Sequence, residues 1–152
     1  MRPKYPLKPV VAVVYNPKMD RFFKKYKRNA FGYEVGKIDD TLMGAIGAKT
    51  KVVTLSDESL AKNMKHHPDI DVDDYMKLDE IVGKGDFIAK DSNLSIVAVY
   101  FHESLYFYAI KSTQTGKAVF LTSFRKANDI YINRLRRKSE AGKIVILKDE
   151  LP

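Results

Sequence analysis

The sequence predicts an α+β domain: an antiparallel meander sheet with helices packed mainly on one face, preceded by an N-terminal strand and helix extension. Three observations carry this expectation. Apolar runs at Leu94–Phe101, Leu105–Thr113 and from Ala118 onward are separated by short polar turns, the pattern of consecutive antiparallel strands. Residues 56–82 carry cap residues and apolar positions at helical spacing. A chain of 152 residues with 45% hydrophobic residues is long enough for one core and too short for two full ones. Residues 1–49 are expected to form an arm, strand and loose helical extension, and 50–152 the α+β domain, the two making one compact unit.

The elements follow in order. Pro3, Pro6 and Pro9 make the first nine residues an extended arm. Val10–Tyr15 is a β-branched run bounded by proline on one side and Asn16-Pro17 on the other, and predicts a buried strand. Asp20–Arg28 places Phe22, Phe23 and Tyr26 on one helical face among five cations, either as core contacts or as a nucleic-acid or membrane surface. Residues 29–48 are glycine-rich and predict a loose stretch with a short helix capped at Asp39 or Asp40. Lys51–Leu55 predicts a strand. Ser56 then caps a helix, with Asp57 and Glu58 in its first turn and Leu55 and Leu60 placed as a hydrophobic staple. That helix ends at His67, because Pro68 disfavours helical angles in the residue before it.

A second helix is expected from Asp71, its apolar face Tyr75, Leu78, Ile81 and Val82. The acids Asp69, Asp71, Asp73 and Glu80 superficially resemble a calcium loop, but the position requiring glycine holds Asp74, and a helix cap explains the same acids. After a short strand at Phe87–Lys90 and the meander, a basic helix has Ile132 and Leu135 as its core stripe. Lys143–Leu147 predicts a last strand.

Composition narrows the chemistry. The net charge of +8 and pI near 9.5 point to a polyanionic partner, nucleic acid first and an anionic membrane surface second; solubilising lysines are the plainer explanation. With no cysteine there is no disulfide, thiolate nucleophile or Cys-ligated metal. No Walker or dinucleotide motif occurs, and no cofactor or metal is expected. No signal or spanning segment is visible, so cytoplasmic synthesis is the default.

If the hairpin closes symmetrically over Thr115-Gly116, Tyr108 faces Ser123, Tyr106 faces Arg125 and Ala109 faces Thr122. One face then carries Phe107, Ala109, Phe120, Thr122 and Phe124 against the helices. The other carries Tyr106, Tyr108, Ser112, Ser123 and Arg125 as the candidate site, and a β-bulge would exchange Thr122 for Ser123. His66 and His67 stand at a helix C-terminus, where orphan carbonyls favour the imidazolium and Lys65 opposes it. Such a histidine is either a capping donor or a general acid or base. Cleaving RNA without metal needs a group to deprotonate the 2′-hydroxyl, one to protonate the leaving oxygen, and cations around the phosphorane. His67, Thr122 or Ser123, Arg125 and a lysine such as Lys65 or Lys111 have the right chemistry. Lys126, Arg134, Arg137 and Lys138 are candidate phosphate contacts, and Arg136 lies nearer the core edge.

The helix ending in Lys65-His66-His67-Pro68-Asp69-Ile70, the helix Tyr75-Met76-Lys77-Leu78-Asp79-Glu80-Ile81, and the meander ending in Leu121-Thr122-Ser123-Phe124-Arg125 before a basic helix resemble the phage-associated nuclease-like domains of the barnase, EndoU, colicin D and RelE superfold. The resemblance covers about residues 50–147. It implies helices packed on an antiparallel sheet and a metal-independent, toxin-like ribonuclease. His67 maps to the catalytic histidine, Thr122 and Ser123 to the strand-end hydroxyls, and Arg125 to the following cation. It further implies an RNA substrate, an immunity or antitoxin partner, and either the host cytoplasm or a virion as the setting. A catalytically inactive nucleic-acid-binding or virion-associated protein is the alternative.

Overall fold

The computed structural model describes residues 17–92, 95–102 and 104–151, and of 96–102 only the backbone. The proline arm and the strand expected at Val10–Tyr15 lie outside the described residues. Among these, six α-helices surround a seven-stranded sheet. In chain order they are α1 (Asp20–Lys25), β1 (Gly32–Lys37), α2 (Asp40–Ile46), β2 (Val52–Ser56), α3 (Asp57–His66), α4 (Val72–Tyr75), α5 (Leu78–Ile81), β3 (Phe87–Ser92), β4 (Ser95–His102), β5 (Ser104–Ser112), β6 (Val119–Lys126), α6 (Asp129–Glu140) and β7 (Val145–Asp149). No helix of the described residues is long and apolar enough to cross a membrane.

The sheet order is β1-β2-β6-β5-β4-β3-β7. The expected meander, β3 to β6, is its centre, each strand antiparallel to the next. The β2 flank differs from the expectation. β2 joins β6 in parallel through Val53↔Val119 and Thr54↔Phe120, and β1 extends that flank antiparallel to β2. Parallel neighbours need a long crossover, supplied here by everything from α3 to β5. β7 returns to the opposite edge beside β3. β1 arises where glycines suggested a loose stretch, because its edge is paired and its Val35 is fully buried; tertiary pairing overrides weak local propensity.

Local signals set the helix ends. Ser56 Oγ accepts from Ser59 N at 3.1 Å, and Asp39 Oδ1 accepts from Leu42 N at 2.9 Å. Asp71 and Asp74 form a reciprocal capping box that opens α4. The helix expected from Asp71 breaks into α4 and α5, yet Tyr75, Leu78, Ile81 and Val82 are all buried as the spacing required. Among the described residues no group of His, Asp or Glu is arranged to hold a metal, and Asp73, one of the acids of the calcium pattern, pairs with Arg21 at 2.5 Å.

Two apolar cores follow from the two sheet faces. On one face, α1 to α5 cover Ile88, Tyr106, Tyr108, Ile110, Val119, Leu121 and Phe124. Phe22 and Tyr26 belong to this core, so the aromatic helix α1 is a packing element; Phe22 meets Tyr75 edge-on at 6.0 Å. Full burial of such a ring contributes roughly 1.5–3 kcal/mol. On the other face, α6 packs Ile132 and Leu135 against Phe87, Phe107 and Ile144.

The face assignment of the hairpin is corrected by one residue. Near the turn, Ser112↔Val119, Lys111↔Phe120 and Ile110↔Leu121 keep the symmetric register. A bulge then makes Thr122 the extra residue, so the pairs become Ala109↔Ser123, Tyr108↔Phe124, Phe107↔Arg125 and Tyr106↔Lys126. Because side chains alternate, this insertion reverses every face beyond it. Tyr106 and Tyr108 point into the five-helix core, while Ser123 and Arg125 lie on the α6 face.

Candidate functional site

Arg125 is placed by β6 and held by two rings. Its guanidinium carbon lies 4.7 Å from the Phe107 ring centre and 4.4 Å from that of Tyr131. Among the described residues it has no carboxylate partner, and the same holds for Lys126 and Arg134. These three cations line one cleft of about 230 Å³ with Asn128, Ile130 and Tyr131. Asn128 caps α6, its Oδ1 accepting from Tyr131 N at 3.0 Å, and so sets where Tyr131 projects. Tyr131 meets Phe107 at 4.7 Å between ring centres. An arginine stacked on aromatics and not neutralised by an acid keeps its five donors for an incoming anion.

His67 reaches this neighbourhood from α3. Beyond Phe120 the β2 side of β6 carries no strand partner among the described residues, and α3 meets that edge through Asn63. Asn63 Oδ1 accepts from Phe124 N at 2.9 Å and its Nδ2 donates to Tyr75 Oη at 2.8 Å. Asn63 O also accepts from His67 N at 2.9 Å, so one buried residue ties the strand end to the histidine. The His67 backbone then leaves helical geometry, and Ile70 N donates to its carbonyl at 3.1 Å. Burial lowers the imidazole pKa below its ordinary 6.5, and the charge of Arg125 lowers it further, with Asp69 opposing and His66 adding to the fall. The net direction is downward, opposite to the rise expected from helix-end carbonyls. A neutral imidazole within the field of a free arginine is a proton acceptor beside an anion site.

The other expected residues divide. Ser123 lies two residues before Arg125 on the same face and is half-buried; Thr122 sits in the bulge, exposed, its Oγ1 donating to Ala109 O at 3.3 Å. Lys65 and His66 are exposed on the last turn of α3. Arg134, Arg137 and Lys138 are exposed one helical turn apart on α6, whereas Arg136 donates to Asp149 at 3.1 and 2.9 Å. Three supporting assignments are corrected. Tyr106 is 1% exposed and donates to Asp74; Tyr108 is fully buried and donates to Lys84 O; neither meets solvent at the site. Burial, then the Asp74 hydrogen bond, raises the Tyr106 pKa, which removes it from proton transfer near neutrality. Lys111 is five residues along β5 from Tyr106, the partner of Lys126. That is about 17 Å at ~3.4 Å per residue.

Asn63, Asn128 and Tyr131 were not singled out by sequence. Asn63 reads as one polar residue on an otherwise ordinary helix, and its role depends on a strand 61 residues away. A larger cleft of about 650 Å³ stands elsewhere, lined by Asp86, Asp129 and Glu150 with Arg136; its carboxylates repel phosphate, and it is not the candidate site. Compared with protein-family models, curated proteins and solved structures, the chain finds no match.

Proposed function

We propose that the chain is a metal-independent endoribonuclease that holds the RNA phosphate in the cleft lined by Arg125, Lys126 and Arg134, with Ser123 on the same strand face and His67 brought toward Arg125 by α3. The observation that carries this reading is an arginine that two rings hold in place and, among the described residues, no carboxylate occupies, on a strand that Asn63 fastens to the neutral-leaning His67. In the reaction, His67 takes the proton of an RNA 2′-hydroxyl as its oxygen attacks the adjacent phosphorus. Arg125 accepts the charge that grows on the phosphorane oxygens, where a preorganised cation is worth more than in water. The O2′–P bond forms and the P–O5′ bond breaks; O5′ leaves with a proton from solvent or from His66. The products are a 2′,3′-cyclic phosphate and a 5′-hydroxyl end, and DNA, lacking the nucleophile, is inert. A toxin-like role with an acidic immunity or antitoxin protein over the cleft fits the charge, as does a place in a phage particle.

One observation favours a second reading, a surface that binds RNA and leaves it intact. His67 is the imidazole tied to Arg125, while His66 is exposed on the helix end, so a fixed donor for O5′ is not provided by the described residues. Incubation with tRNA or total RNA in EDTA separates the two. Cleavage by the wild type, lost in His67→Ala and Arg125→Ala, supports the enzyme. Salt-sensitive binding with RNA recovered whole supports the second reading. Equal cleavage by wild type and both variants removes the site.

A further inference from the structure

The sheet face that carries Arg125 continues toward the turn at Thr113–Ala118, and a solvent-facing aromatic is held there. Phe31 is 60% exposed and meets Phe120 edge-on, ring centres 5.9 Å apart and planes at 83°. The loop bearing it is locked. Arg28 donates to both Asp57 carboxylate oxygens at 2.9 and 2.5 Å. Asn29 Nδ2 donates to Thr54 Oγ1 at 2.9 Å, and Asn29 Oδ1 accepts from Phe31 N at 2.8 Å and Gly32 N at 3.0 Å. A Cβ on Gly32 would run into the Leu55 carbonyl oxygen, so the chain lies flat on β2 at that point. An exposed phenylalanine on a wandering loop is ordinary surface; one fixed by this many bonds is a preformed flat platform whose ordering cost has already been met in folding.

Cations flank this platform at the turn end of the sheet, and the strand face continues from it past Ser123 to Arg125. Lys111 pairs with Phe120 in register and shares its face, and Lys117 stands in the turn beside a hollow of about 290 Å³ that also borders Phe31 and Asn29. Lys111 and Lys117 are exposed. From Phe120 to Arg125 the strand runs about 15 Å at ~3.3 Å per residue, allowing for the bulge. Glu34 is the acid at the far end, its Oε2 accepting from Asn29 Nδ2 at 3.4 Å.

We infer that this face is a single-stranded RNA track: a base stacks on Phe31 while Lys111 and Lys117 hold the phosphates beside it, and the strand continues along β6 to Arg125. The inference rests on the ribonuclease reading and deepens it, since it names extended single-stranded RNA as the substrate and gives the β1 flank a part in binding. Lys111, too distant to support the reaction centre, acquires a role at this distance. Flat aromatics with interleaved cations are the elements that grip single strands with little regard to base identity.

The test measures binding of the full chain to a 2′-O-methyl RNA dinucleotide and octanucleotide, which resist 2′-hydroxyl attack. The octanucleotide should bind more tightly. Phe31→Ala and Phe31→Leu should reduce the octanucleotide-to-dinucleotide affinity ratio by roughly 5- to 150-fold, the span of one lost base stack, and Phe31→Trp should restore it. Lys111→Gln should lower the salt slope of octanucleotide binding by about one unit. A 2-aminopurine carried by the octanucleotide should be quenched by the wild type and not by Phe31→Ala. An unchanged affinity ratio in Phe31→Ala, or equal binding of both lengths by the wild type, overturns the track and leaves the ribonuclease reading standing. If the wild type neither binds nor cleaves RNA of any length, both fall together.

Discussion

Replacing Asn63 with alanine removes the side chain that serves a donor and an acceptor at once. Phe124 N–H needs an acceptor and finds Asn63 Oδ1; Tyr75 Oη receives the Asn63 Nδ2 donor. Phe124 and Tyr75 are each 1% exposed, so water cannot freely replace either contact. Each buried polar group left unmatched costs about 1–3 kcal/mol, which places Asn63→Ala near 4 kcal/mol, a large share of the ~5–15 kcal/mol a domain has in total. At about 2–4 °C per kcal/mol for a chain of this size, the melting midpoint should fall by roughly 10 °C. Urea unfolding measures the loss directly, with the slope unchanged if only the native contacts are altered. Tyr75→Phe alone leaves one unmatched donor and should cost less, about 1–2 kcal/mol, and the double variant should be non-additive. A loss below about 1 kcal/mol for Asn63→Ala would refute the view that α3 is fastened to β6 at this point. Burial pushes the Tyr75 hydroxyl up to about 12, so it stays protonated throughout these assays.

Two further predictions concern charge. The His67 imidazole titrates below 6.5 in the fold. Above that pH it is neutral in folded and unfolded chains alike, and below it the unfolded chain takes the proton first, so this group erodes stability as the pH falls below 6.5. In an NMR titration, Arg125→Gln should move the His67 pKa part of the way back up, burial being the larger cause; no movement, or a fall, contradicts the coupling of the two residues. Arg28→Ala strands the Asp57 carboxylate, whose side chain is 4% exposed. Breaking a buried pair costs ~3–5 kcal/mol, reduced here to about 2–3 because Arg28 is 41% exposed and the carboxylate keeps the favourable start of α3. Thermal denaturation showing a cost under about 1 kcal/mol would rule out this pair as the anchor of the 28–32 loop.

What a short window of sequence contains was readable, because caps and turns are satisfied by residues three or four positions away. Ser56, Asp39 and Asp71 cap as their chemistry required, and Tyr75, Leu78 and Ile81 are buried as their spacing required. The meander and the core stripe of α6 were likewise visible in apolar periodicity. The face of the hairpin was not, since a single bulged residue at Thr122 inverts the alternation and leaves no compositional mark. Nor was β1, whose strand state depends on pairing with β2, or the parallel join of β2 to β6.

The candidate site divides along the same line. His67 and Arg125 could be chosen by residue type, helix end and strand end. The stacking of Arg125 against Phe107 and Tyr131, the burial that lowers the His67 pKa, and the loss of Tyr106 and Tyr108 to the core are decided by groups that meet only when distant segments pack. Sequence alone determined which residues have the chemistry for phosphate and where the chain starts and stops its local elements. Tertiary structure decided which of those residues share a face, because alternation along a strand transmits one inserted residue to every position beyond it, and desolvation exists only once the surrounding segments have closed.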